Sequence, residues 1–203
     1  MNDSDAYKEP SIISESIFKD KGSKHFGYVY SVKSEQDIQE RLAELKKLHY
    51  ASRHICYAYS LGITNVKSKS TDDGEPHNSA GPPILGQINS FELHNTLVAV
   101  VRYFGGTKLG VGGLINAYKT AAKEAILANT IITKYRFKTF QLDFPYDLMS
   151  DIMRFSKRDG ITIVAQDFRE SCKLTLQIRE KYMIEYQDFL SKLHLLTTKE
   201  IKS

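Results

Sequence analysis

Cysteine is scarce in this chain. Cys56 and Cys172 are the two present among 203 residues, and they stand far apart. Neither sits in a CxxC or Cys/His pair at zinc-ligand spacing, so neither a secreted disulfide framework nor a structural zinc site is expected. Both thiols read as small buried hydrophobes. Tryptophan is absent. HExxH, GxxxxGK[ST] and GxSxG are absent too, and the six histidines, His25, His49, His54, His77, His94 and His194, are scattered. No resident metal or cofactor is therefore expected. No apolar run approaches the ~18 residues of a membrane span; the densest covers residues 97–101. Residues 1–10 are polar and acidic, unlike the apolar region of a signal peptide. The expectation is a soluble, cytoplasmic chain with no membrane partner.

The remaining composition is that of a globular protein, with 41% apolar and 26% charged residues. Lys and Arg number 28 against 24 acidic residues, a mildly basic net charge of +4. The length suits one large domain or two small ones, and the residue pattern changes character near residue 136. Before that point the periodicities predict a polar, frayed leader over 1–10 and strands over 12–18 and 25–32. A helix over 34–49 follows, with Ser34 as N-cap, Glu35 and Asp37 in its first turn, and Ile38, Leu42, Leu45 and Leu48 on one face. A strand over 55–61 leads into a long polar loop over 65–78, a short helix through residue 90 and an inner strand over 96–104. Leu114, Tyr118, Ala121, Ala125 and Ala128 then mark a helix face. From 137 onward the order is strand, helix, two strands and helix, with room for a last short strand within 194–198, as in a ferredoxin-like unit. The expected domains are thus residues 1–136 and 137–203.

Chemistry has three candidate sources. The first is glycine. Eight of the twelve glycines fall within residues 74–113, and five of these, Gly105, Gly106, Gly110, Gly112 and Gly113, lie within nine residues between an apolar strand and a helix. Bare backbone at a helix start suits an anion. The same glycines also suit a tight strand-to-helix turn, and both readings stand. Residues 93–136 carry Arg102, Lys108, Lys119, Lys123, Lys134 and Arg136 against Glu124 alone, a local net charge of +5. Lys119 and Lys123, four apart, share a helix face that serves a phosphate or simply solvent. The second source is the acidic loop Asp72, Asp73, Gly74 and Glu75, followed by Pro76 and His77. Its carboxylates suit either a magnesium ion or turn and cap formation. The third is aromatic. Tyr57, Tyr59, Tyr103, Phe104 and Tyr118 flank the glycine and basic segments, and rings beside cations are what single-stranded nucleic acid binders use. Strand alternation sends Phe104 to the core and turns Tyr103 outward for stacking. It also puts His54 and Cys56 on one face, a pairing that serves packing as readily as catalysis.

Three segments together resemble the IMPACT/YigZ family in its bacterial two-domain form. Asp72-Asp73-Gly74-Glu75-Pro76 with Ala80-Gly81-Pro82-Pro83-Ile84-Leu85 is similar to one family signature. Arg102-Tyr103-Phe104-Gly105-Gly106 with Lys108-Leu109-Gly110 and Gly112-Gly113-Leu114 is similar to a second, and Ala51-Ser52-Arg53-His54-Ile55-Cys56-Tyr57-Ala58-Tyr59 to a third. The resemblance implies an α+β fold: an N-terminal domain like the fourth domain of elongation factor G, and a C-terminal ferredoxin-like βαββα domain. The chain departs from the family at Asn78-Ser79, where Gly-Thr is usual, and at Asn116, where Arg is usual. Eukaryotic relatives with a different added domain regulate translation. The implied function is RNA or ribosome association in translation or its regulation, through Arg102, Tyr103, Gly105, Gly106, Lys108, Gly110, Gly112, Gly113, Lys119 and Lys123. The alternatives are a magnesium-dependent nucleotide or phosphate-ester enzyme using the same glycines with Asp72, Asp73 or Glu75, or a protein-interaction module with a protein partner.

Overall fold

The structure is a computed structural model and describes residues 4–169 and 171–201. Its elements run β1 (Ala6–Pro10), β2 (Ser14–Asp20), β3 (Ser23–Ser31), α1 (Glu35–Leu48), β4 (His54–Leu61), β5 (Lys67–Thr71), α2 (Gly81–Ser90), β6 (Thr96–Tyr103), α3 (Gly110–Leu127), β7 (Ile131–Tyr135), β8 (Phe137–Phe144), α4 (Met149–Ser156), β9 (Ile161–Asp167), β10 (Cys172–Arg179), α5 (Met183–Ser191) and β11 (Thr197–Ile201). This is an α+β chain of two compact units. One is Tyr7–Lys134; the other takes the described residues from Tyr135 onward together with those up to Ala6.

The first unit is built on an antiparallel sheet in the order β2-β3-β6-β4-β5. Its central strand, β6, is buried throughout except at Tyr103, because both of its faces are covered. Val98 and Val100 join Val29, Cys56 and Ala58 beneath α2 and α3. Leu97, Ala99 and Val101 join Tyr28, Tyr30 and Ile55 beneath α1, which supplies Ile38, Leu42 and Leu45. The expected Ser34 cap forms, its Oγ accepting the Asp37 N–H at 3.1 Å. Helix α3 presses closely on β3. Its contact face is Ala117, Ala121 and Ala125, and a Cβ on Gly27 would stand 2.6 Å from the Ala121 carbonyl oxygen. Ser16 and Ser14 donate hydroxyl bonds to the Ala121 and Ala125 carbonyls, at 3.1 and 2.8 Å.

Three expectations need correction here. Part of the polar 65–78 loop is a strand: Lys67-Ser-Lys-Ser-Thr71 pairs along β4. An edge strand can be held by its backbone alone, and lysines there deter further pairing. The leader is also ordered from Ser4. β1 pairs with β7, and the Glu9 carboxylate, 2% exposed, holds both Lys33 and Lys134. Finally, α3 begins at Gly110, so Gly112 and Gly113 are helical rather than part of a preceding loop.

The second unit is an antiparallel sheet in the order β11-β8-β10-β9. Alternate residues Phe140, Leu142, Phe144, Leu174, Leu176 and Ile178 form its core with Ile152, Phe155 and Tyr186 of the two helices. This is the expected βαββα order with β11 added at one edge. The residues just before β1 also belong to this unit. Asp5 accepts from Arg179 Nη2 at 2.8 Å and Nε at 3.1 Å, and its carbonyl accepts the Arg136 N–H at 2.9 Å. Among the described residues no helix is long and apolar enough to cross a membrane.

Gly27→Ala should therefore cost about 1–3 kcal/mol, because helix and sheet must separate to admit the methyl group. A fall in the denaturant midpoint at unchanged slope would register it; an unchanged midpoint would show that α3 is free to shift.

Candidate functional site

A cleft of about 730 Å³ opens in the first unit. The turn before β4, the acidic loop, the end of β6 and the start of α3 meet around it. Its lining includes Arg53, His54, Glu75, Arg102, Tyr103, Phe104, Lys108, Gly110 and Val111. The acidic and glycine segments are therefore neighbours in space.

Each acidic side chain has a defined task. Asp72 Oδ1 accepts the Ala80 and Gly81 N–H groups at 2.9 and 2.8 Å, and Oδ2 accepts that of Asn78 at 2.9 Å. It thus caps α2, whose N-cap residue Ala80 has no side-chain acceptor of its own. Burial raises the Asp72 pKa, but the three N–H donors outweigh it and hold the carboxyl below its ordinary value. Asp73 Oδ2 accepts the Ile55 N–H at 2.7 Å. Asp73 and Gly74 turn the loop through left-handed backbone, at φ of 42° and 84°. Glu75 Oε1 accepts from Arg102 Nη1 at 2.7 Å and from the Tyr118 hydroxyl at 2.8 Å. This pair is buried, with side chains 4% and 9% exposed. The protein itself engages both oxygens of Asp72, Oδ2 of Asp73 and Oε1 of Glu75, so the turn and cap roles of this loop are present in the structure. Among the described residues no group of three or more His, Cys, Asp or Glu side chains is placed to hold a metal.

The glycine segment divides by role. Gly105 is a packing glycine: its backbone lies against Gly22, where a Cβ would reach 1.8 Å from the Gly22 carbonyl carbon, and its N–H donates to Ser23 Oγ at 3.2 Å. Gly106 and Gly110 adopt φ of 93° and 73°. A Cβ on Gly110 or Gly112 would meet nothing within 4 Å, so packing does not explain the absence of a side chain there. Helix α3 has no side-chain cap and no acid in its first turn. Its leading N–H groups and the positive end of its dipole thus remain available to an anion.

The other expected residues separate. Lys119 and Lys123 are exposed on α3 and do not line the cleft. Lys134 pairs with Glu9, and Arg136 pairs with Glu180 in the second unit. Proximity in sequence had grouped charges that α3 and β7 carry apart. Tyr103 and Phe104 exchange roles. The Tyr103 ring packs on Phe26 and His49, and its hydroxyl lies 3.1 Å from His49 Nδ1. Phe104 is 59% exposed, with the Arg102 guanidinium 5.6 Å from its ring centre. β6 ends at Tyr103, so strand alternation no longer governs Phe104. Cys56 donates to the Asp72 carbonyl at 2.9 Å, and burial pushes its thiol well up; it is a packing residue.

Two contributors escaped sequence reasoning. Arg53 lines the cleft and is exposed; it was legible only as part of the third family-like segment. His25 sits opposite Arg102 in the β3–β6 ladder. It is fully buried against Tyr118, and neither ring nitrogen has a partner among the described residues. Burial, with Arg102 adding to it, holds the imidazole down to about 4 from 6.5.

The Impact N-terminal domain model matches residues 21–126, and the chain belongs to the IMPACT family. It is 28% identical over 171 residues to the IMPACT family member YvyE of Bacillus subtilis, covering 84% of this chain and 79% of that one. It is 28% identical over 140 residues to YigZ of Escherichia coli, covering 68% and 69%. A crystal structure of a hypothetical protein superposes with a TM-score of 0.69 over 98% of both chains at 22% identity, a likeness of fold.

Two outcomes follow from the buried groups. As pH falls from 6.5 toward 4, the unfolded chain takes up a proton that folded His25 refuses, so stability drains across that window by about 3 kcal/mol and is level above it. His25→Phe should flatten the window when the denaturant midpoint is followed against pH; an unaltered slope would show that His25 is not its source. Glu75→Ala should cost roughly 3–5 kcal/mol by leaving Arg102 buried and unpaired, and adding Arg102→Met should recover part of that loss. Strictly additive losses in thermal melts would show that the two side chains are not coupled.

Proposed function

We propose that this chain is an RNA- or ribosome-associated protein acting in translation or its regulation, and that it holds a phosphate of its partner in the cleft at the start of α3. Family membership supports the translational half, since eukaryotic relatives of this family regulate translation. The cleft supports the other half. The observation that carries it is the convergence on one opening of an uncapped helix start, two exposed cations, Arg53 and Lys108, and an exposed ring, Phe104. The backbone N–H groups of residues 110–113 would face phosphate oxygens, Arg53 and Lys108 would supply charge, and Phe104 would stack on a base. Lys119 and Lys123 lie outside this set, and Tyr103 acts by packing the strand end.

The purified protein should bind RNA or ribosomal subunits at low salt, measured by fluorescence anisotropy and by co-sedimentation. Lys108→Ala and Arg53→Ala should each weaken binding whatever the RNA sequence and lower the salt slope by about 1, whereas Lys119→Ala should leave it unchanged. Binding to neither RNA nor ribosomes at low salt would sink the reading.

A further inference from the structure

Resting on that reading, we infer that the cleft holds one nucleoside monophosphate unit, a terminal phosphate with its attached base, rather than a run of internal phosphates. Charge is the first ground. Arg53, Arg102 and Lys108 line the cleft with Glu75 as the opposing carboxylate, a formal balance of +2. That matches a phosphate monoester, which carries about −1.5 to −2 near neutral pH; an internal phosphodiester carries a single charge. Extent is the second. A strand lying across the surface needs a track of cations, yet Lys119 and Lys123 lie outside the cleft and Lys134 is committed to Glu9. The volume, about 730 Å³, is that of a small-molecule site.

The lining also matches both ends of such a unit. At the phosphate end Arg53 and Lys108 are exposed, while Arg102 is 9% exposed with its Nε closed to solvent, so it adds charge rather than a free donor. Phe104 and Val111, 59% and 53% exposed, form an apolar rim for a base. His54 adds orientation. Its Nδ1 lies 2.8 Å from the Asp73 carbonyl oxygen, which can only accept, so Nδ1 carries a proton, and in the neutral imidazole Nε2 is the acceptor. In a cleft otherwise rich in donors, that atom suits a ribose hydroxyl.

Calorimetry with the intact protein tests this, using adenosine, AMP, inorganic phosphate, and one RNA tetramer prepared with and without a 5′-phosphate. AMP and the phosphorylated tetramer should bind at least about tenfold tighter than adenosine and the unphosphorylated tetramer, and AMP should exceed inorganic phosphate by a similar factor. Lys108→Ala should erase most of the preference for the phosphorylated probes, and Phe104→Ala most of the advantage of AMP over inorganic phosphate, both being at exposed positions. A phosphorylated tetramer that outbinds AMP identifies an RNA end as the source; the reverse identifies a free mononucleotide. Equal binding of the two tetramers, or AMP no tighter than inorganic phosphate, would overturn the inference while leaving RNA binding intact. AMP binding with no RNA binding would uphold it and remove the broader reading, and no binding of any probe would remove both.

Discussion

A single carboxylate oxygen, Glu75 Oε1, ties the acidic loop to the end of β6 through Arg102 and to α3 through Tyr118. Three segments distant in sequence meet at that atom. A buried charge pair is a poor source of net stability, because desolvation offsets most of the attraction. Its value here is specificity of position. With both partners out of water, the arginine cannot swing to another acceptor at low cost, and the tyrosine hydroxyl orients the carboxylate. The wall of the cleft is thereby set by an ion pair, while the cations that remain exposed lie at its rim.

The same interaction explains why the charge of this segment overstates its binding capacity. Of the six basic residues between positions 93 and 136, one is tied to Glu75, one to Glu9 and one to Glu180. Two more face solvent away from the cleft, and Lys108 alone stands at its mouth without an ion pair among the described residues. The protein replaces Coulombic bulk with a small set of donors: the start of α3, Lys108, and Arg53 from a different turn. Such a site discriminates by geometry more than by long-range attraction.

Much of this was legible beforehand, for identifiable reasons. α1 was readable because Ser34, Glu35 and Asp37 signal a helix start independently of the rest of the fold. The second unit was readable from alternating apolar residues in β8 and β10. What escaped depended on tertiary partners. β5 carries no apolar signal because it is an edge strand held by its backbone. β1 looked like a loose leader because Glu9 reads as a surface residue until Lys33 and Lys134 close around it. The exchange between Tyr103 and Phe104 turned on the residue at which β6 ends, which periodicity does not specify. The sequence left open whether the acidic and glycine segments meet, since nothing in either segment names the other.

The ion pair between Asp5 and Arg179 has a consequence for synthesis. The partners are separated by 174 positions, and Asp5 belongs to the unit that otherwise begins at Tyr135. A chain emerging from a ribosome exposes Asp5 well before Arg179, 174 positions later. While the first unit is made, Asp5 has to wait for its partner, its carboxylate still hydrated. The second unit can close only once Arg179 has been made, so it completes after every residue of the first unit has been synthesised.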